Sequence, residues 1–168
     1  MPIKEPLKRL RIEYNHNNRT INMTDKDLVY KVIGAAMEVY RNLGYGLLES
    51  IYQEAMAVEL QEKGITYALE RDVPVFYKGL KLKKTFRLDM LVDDKVVVEL
   101  KSVSKLGAEH RIQLCNYLRL THKSIGLLIN FGTSLIIGER WVYDEEYNEC
   151  YLVDKNMKPV HLYNEDDA

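Results

Sequence analysis

The segment Arg87-Leu88-Asp89-Met90-Leu91-Val92-Asp93-Asp94-Lys95-Val96-Val97-Val98-Glu99-Leu100-Lys101 carries the densest chemistry in the chain. Glu99 and Lys101 stand two apart in an apolar, β-branched run, so on a strand they project to one face and Leu100 to the other. A hairpin closing through Asp93, Asp94 and Lys95 sets Leu88, Met90 and Val92 against Leu100, Val98 and Val96 on one apolar face. The other face then brings Asp89 opposite Glu99 and Leu91 opposite Val97, with Lys101 one step further along. A register shifted by one residue would split both sets across the two faces, so apolar pairing favours this one. Two carboxylates about 4 Å apart repel by roughly 4 kcal/mol at an effective dielectric near 20, more than a cross-strand pair contributes. Lys101 offsets part of that charge, and a divalent cation taking oxygens from both carboxylates would offset the rest. Magnesium, a hard ion, prefers such an oxygen shell. The alternative is a solvated sheet face on which Asp89 and Glu99 pair with Lys101 and Arg87. Val96, Val97 and Val98 weigh against it, because a strand buried on both faces seldom carries a Glu and a Lys without a task.

Several elements must hold this hairpin. Thr24-x-x-Asp27 reads as a capping box, after which Leu28, Val32, Ala35, Ala36, Val39 and Tyr40 follow at helical spacing up to Gly44. Past Gly44-Tyr45-Gly46, residues 47–63 carry Leu48, Ile51, Tyr52, Ala55 and Val58 at three- and four-residue steps, and Gly64 stops a second helix. Residues 65–77, 80–92 and 96–102 read as strands, with turns at Gly79 and Asp93-Asp94. Helical spacing returns over 107–122, and 124–131 and 135–143 read as two more strands, the first apolar enough to be central. The order ααβββαββ predicts an α/β (α+β) fold, a mixed sheet flanked by helices in one domain over 23–143. Residues 1–22 read as a loosely held arm, and 144–168 as an acidic, tyrosine-containing extension with no clear period.

Four further side chains share faces with one another. Glu49 and Tyr52 lie three apart in the first turns of the second helix, where a carboxylate is favoured by the helix dipole, and Glu49 alone reads as a helix-stabilising residue. Gln113 and Tyr117 lie four apart on the third helix, both towards the sheet; they fit substrate positioning as well as a core tyrosine beside a glutamine capping a strand end. His110, one turn earlier, fits a surface or hydrogen-bonded residue better than a metal ligand. Lys78, Lys81, Lys83, Lys84 and Arg87 form a basic run leading into Asp89, which is either a solvated edge or a meeting point for phosphates.

Asp, a short gap, then Glu-x-Lys resembles the signature of the PD-(D/E)XK nuclease superfamily. Gly46-Leu47-Leu48-Glu49-Ser50-Ile51-Tyr52 is similar to the pattern naming the GxxExxY proteins within it. The resemblance continues through Gln113-Leu114-Cys115-Asn116-Tyr117-Leu118 and Gly126-Leu127-Leu128-Ile129-Asn130-Phe131-Gly132, and so covers roughly residues 24–142; Leu88 stands where the superfamily name has proline. It implies a restriction-endonuclease-like core in which Asp89 and Glu99 bind magnesium or manganese and Lys101 orients or activates the attacking water. Glu49 would be a further acidic contributor, Tyr52 would brace it or contact phosphate, and the Leu100 carbonyl would be a further ligand. Gln113 and Tyr117 resemble the Gln-x-x-x-Tyr of exonuclease-like members and would position substrate. The substrate would be nucleic acid, with DNA favoured over RNA.

The bulk numbers agree with one globular domain: 168 residues, 46% hydrophobic and 29% charged. Cys115 and Cys150 lie far apart with no apolar leader, which predicts neither a disulfide framework nor a Cys-rich metal site and makes a reducing, cytoplasmic setting the simplest expectation. No apolar run approaches the roughly 18 residues needed to cross a bilayer, so no membrane association is expected. Net charge is −1 and the pI about 6.4, so any grip on nucleic acid must come from local basic patches and metal ions, or from a homodimer. Three classes remain at this stage: an active nuclease, a binding module that keeps the fold without turnover, and a hydrolase of another phosphate ester.

Overall fold

Thr24 opens the first helix as its spacing predicts, its hydroxyl oxygen accepting the Asp27 N–H at 3.1 Å. The computed structural model describes residues 24–160; the expected arm over 1–22 lies outside them. In chain order the elements are α1 (Asp25–Leu43), α2 (Glu49–Glu62), β1 (Tyr67–Tyr77), β2 (Leu80–Val92), β3 (Val96–Lys101), α3 (Ala108–Thr121), β4 (Ile125–Asn130), β5 (Ile137–Asp144) and β6 (Glu149–Val153). The six strands lie side by side in sequence order. All neighbours are antiparallel except β3 and β4, which are parallel and joined by α3. Every residue of those two strands is buried except Lys101, which explains why they are apolar apart from Glu99, Lys101 and Asn130.

Each sheet face has its own core. One packs α1 (Leu28, Val32, Ala36) and α2 (Tyr52, Met56, Leu60) on Met90, Val92, Val98, Leu100 and Ile129. The other packs Leu114 and Leu118 of α3 on Leu91, Val97, Leu128 and Trp141. Gly126 permits that second layer: a Cβ there would fall 2.8 Å from Leu114 Cδ1.

Two features depart from the sequence expectation. The acidic extension contributes a sixth strand, β6, whose Tyr151 pairs with Val142 and Cys150 with Tyr143, so the element order is ααβββαβββ. Tyr151 and Val153 enter one core while Cys150 and Leu152 pack on the other, which removes the polar alternation that would have revealed a strand. The second correction concerns cysteine: Cys115 of α3 and Cys150 of β6 form a disulfide, their Cα atoms 6.0 Å apart. Pairing β6 to β5 carries Cys150 under α3, so a separation of 35 residues in sequence becomes a contact. What this corrects is the expectation that the two cysteines stay apart without a disulfide. Among the described residues, no helix is long and apolar enough to cross a membrane.

Candidate active site

The hairpin between β2 and β3 has the predicted register. Val92 pairs with Val96, Leu91 with Val97 and Met90 with Val98. Lys95 N–H closes the loop on the Val92 carbonyl at 3.0 Å, with Asp93 and Asp94 at φ +51° and +53°. The ladder then stops, and side chains take over at the next position. Asp89 N–H donates to Glu99 Oε1 at 3.3 Å, and Leu100 N–H donates to Asp89 Oδ2 at 2.9 Å. The strand is irregular here: Glu70, next to Asp89 on β1, has φ +49°. Leu88, expected on the face of Met90 and Val92, instead enters the α3-side core with Leu91, because alternation slips at Asp89.

Glu99 is 2% exposed. Its carboxyl is pushed up to about 9, first by burial and then by the Asp89 charge, against the opposing pull of the Asp89 N–H and Lys101. A hydrogen bond shared with the Asp89 side chain also favours the protonated form. The Glu99 carboxyl is thus held in a dry place with the half-buried Asp89 carboxyl against it.

Lys101 Nζ donates to Gln113 Oε1 at 3.1 Å, and Gln113 Nε2 donates to the Tyr117 hydroxyl at 2.9 Å. The Tyr117 ring stacks on Phe86 with centroids 4.6 Å apart. Burial, then the charges of Glu99 and Asp89, raise the Tyr117 hydroxyl above its ordinary pKa and keep it a donor.

Three loops fasten the end of β3. Phe131 N–H donates to the Lys101 carbonyl at 2.8 Å, and Gly46 N–H to the Phe131 carbonyl at 2.9 Å. Ser102 Oγ donates to the Leu47 carbonyl at 2.5 Å. Asn130, fully buried, accepts the Val103 and Gly132 N–H groups at 3.0 Å each and donates to the Val103 carbonyl at 2.9 Å. Gly132 lies so close that a Cβ would fall 2.1 Å from the Val103 carbonyl oxygen.

Of the residues singled out by sequence, Asp89, Glu99, Lys101, Gln113 and Tyr117 come together. Glu49 stands exposed in the first turn of α2 and makes no hydrogen bond among the described residues. Among those residues no three acidic, histidine or cysteine side chains form a cluster able to hold a metal, so Asp89 and Glu99 stand as a pair. Tyr52 is fully buried: its hydroxyl donates to the Gly44 carbonyl at 2.9 Å and accepts the Leu47 N–H at 3.1 Å, while its ring stacks on Phe131 at 4.2 Å. It braces the loop ahead of Glu49, and burial keeps it from a phosphate. The Leu100 side chain lies in the core beneath α1 and α2. His110 Nδ1 accepts the Gly107 N–H at 2.9 Å at the start of α3, a helix-capping role. Sequence reasoning missed Gln53, which donates to the Asp89 carbonyl at 2.8 Å, and Asn130. Gln53 is four residues after Glu49, and Asn130 ends an otherwise apolar strand; both signals were present.

The model of the PD-(D/E)XK nuclease superfamily matches residues 26–140. The chain belongs to that superfamily. Its mixed six-stranded sheet with three helices has the restriction-endonuclease-like arrangement. PD-(D/E)XK nucleases generally use divalent metals and act on nucleic acid. The crystal structure of SSO0001 is similar at a TM-score of 0.45 and 17% identity, over 68% of this chain and 60% of that one. No curated protein matches the chain.

Proposed function

We propose that the protein is a metal-dependent nuclease that hydrolyses phosphodiester bonds, preferring DNA to RNA, and that it sits with the GxxExxY proteins of its superfamily. The observation that carries this reading is the convergence of a buried Glu99 carboxyl, the half-buried Asp89 carboxyl against it, and a lysine held at a fixed point beside them. The residues fit a hard cation: the donor set is all oxygen, and Glu99 is buried against a like charge that a cation would relieve. Asp89 and Glu99 would hold magnesium or manganese. Leu100 would add its carbonyl, because a strand residue sends its N–H and C=O to one edge and its N–H already points to Asp89. When bound, the ion would lower the pKa of water and offset negative charge gathering on the phosphate.

The chain's own groups do the rest. The Lys101 ammonium has three donors, of which Gln113 takes one, leaving two to orient the attacking water and meet a phosphate oxygen. Tyr117 accepts from Gln113, so its own proton is available to an anionic oxygen of the substrate. Glu49 would add acidic character: Gln53, one turn later on the same helix face, already reaches Asp89.

Incubating purified protein with duplex and single-stranded DNA and with RNA tests the assignment. Cleavage should require magnesium or manganese, stop with chelator, and fall by about 10²–10³-fold in Lys101→Ala. A wild-type protein that binds nucleic acid but never cuts it would leave only the binding-module reading.

A further inference from the structure

Between Asp72 and Asp89 the chain carries Lys78, Lys81, Lys83, Lys84 and Arg87 and no acidic residue, in a protein of net charge −1. Arg87 is ion-paired to Asp72 and Glu70. The four lysines have no acidic partner among the described residues. They ride on the outer part of the β1–β2 hairpin, where residues 80–85 are all exposed. Lys81 pairs across strands with Phe76 and shares its face. The adjacent pair, Tyr77 with Leu80, takes the opposite face, and Lys78 Nζ lies 5.5 Å from the Tyr77 ring centroid. The ribbon is therefore positive on both sides. Its tip is also apolar, with Phe76, Tyr77 and Leu80 being 59%, 62% and 71% exposed.

An anti-aggregation edge accounts for lysines but not for an apolar tip between them. A second copy of the chain is a poor occupant, because two such arms would repel. A groove walled by phosphates and floored by base edges answers both features. The DNA major groove admits a two-stranded β-ribbon, whereas the RNA major groove is too deep and narrow to be read. β2 runs from this tip to Asp89, nine residues on; at 3.4 Å per residue that is about 30 Å at most, shortened where the β1–β2 ladder shifts register between Pro74 and Phe76, a reach within one duplex turn.

We propose that the β1–β2 hairpin is a grip for duplex DNA. It enters the major groove with Lys78, Lys81, Lys83 and Lys84 meeting phosphates on both walls and Phe76, Tyr77 and Leu80 meeting base edges. This rests on the nuclease reading for its biological sense, but its test does not depend on turnover. It also supplies, within one chain, the local basic patch that a net-acidic protein needs.

The experiment is fluorescence-anisotropy binding in chelator to one sequence as duplex DNA, single-stranded DNA and duplex RNA, across a salt series. Lys81→Glu with Lys83→Glu should weaken duplex DNA binding by about tenfold or more and lower the slope of log affinity against log salt by about 2. Lys26→Glu with Lys155→Glu changes the net charge equally, away from the arm, and should leave duplex binding within about threefold. Binding of duplex DNA with unchanged affinity and salt slope in the arm variant overturns the proposal, as does a loss confined to single-stranded DNA. If the arm variant loses binding while Lys101→Ala still cuts, the grip stands and the assigned chemistry fails. If Lys101→Ala binds normally without cutting while the arm variant also binds normally, the chemistry stands and the grip fails.

Discussion

Asp89 Oδ2 accepts the Leu100 N–H at 2.9 Å at the place where the β2–β3 ladder would otherwise make its next bond. The Asp89 carboxylate is thereby held by backbone as well as by the hydrogen bond it shares with the Glu99 side chain. Glu99 answers in kind by accepting the Asp89 N–H. Each acid is oriented by its partner's strand, so the hairpin register and the geometry of the acidic pair are one property.

Glu99 gives the metal-free protein a pH-dependent stability. Its carboxyl titrates at about 9 when folded against 4.5 ordinarily. Below 4.5 both folded and unfolded forms are protonated, and the contribution is fully present. Between 4.5 and about 9 the folded form keeps a proton that the unfolded chain has released, so stability falls as pH rises. Denaturant midpoints in chelator should fall across this window, Glu99→Gln should flatten the trend, and magnesium should raise the midpoints most at the alkaline end. Identical pH profiles for wild type and Glu99→Gln would contradict the assignment.

Gln113 accepts a hydrogen bond from Lys101, so on the proposed reading it positions that ammonium. Removing its carbonyl in Gln113→Ala leaves the ammonium without its anchor and the Tyr117 hydroxyl without a donor. Turnover should fall about ten- to a hundredfold, with DNA affinity in chelator little changed, since a hydrogen bond to a charged group contributes about 1.5–3 kcal/mol. Gln113→Glu keeps an acceptor and should recover part of kcat. A rise in KM with kcat intact would instead make Gln113 a substrate contact.

The Cys115–Cys150 bond ties α3, which carries Gln113 and Tyr117, to the last strand. Cys115→Ser should cost about 3 kcal/mol in non-reducing denaturation, and reduction of the wild type should cost the same. Equal midpoints for variant and oxidised wild type would show that the bond does not form in solution.

How far the sequence revealed the site depended on whether a residue's partner lay close along the chain. The Asp89–Glu99 pairing was legible because Met90, Val92, Val96 and Val98 accept only one register without exposing an apolar face. Helical spacing put Gln113 and Tyr117 on one face of α3, and the Gln-x-x-x-Tyr resemblance supplied the role that spacing left open. β6 was not, because its two faces enter two different cores and show no alternation. The disulfide was hidden for the same reason, since only the pairing of β6 with β5 brings Cys150 to Cys115. Tyr52 lies three residues after Glu49 on α2, yet it is buried while Glu49 is exposed, and spacing could not show that its hydroxyl would turn back onto its own preceding loop.

The most direct test of the central claim is calorimetric titration of manganese into chelator-stripped protein at neutral pH. Wild type should bind the ion and release a proton from Glu99 as it does so, and Asp89→Asn should weaken binding by about tenfold or more. Binding that is absent in wild type, or that is undiminished in Asp89→Asn, would contradict the account.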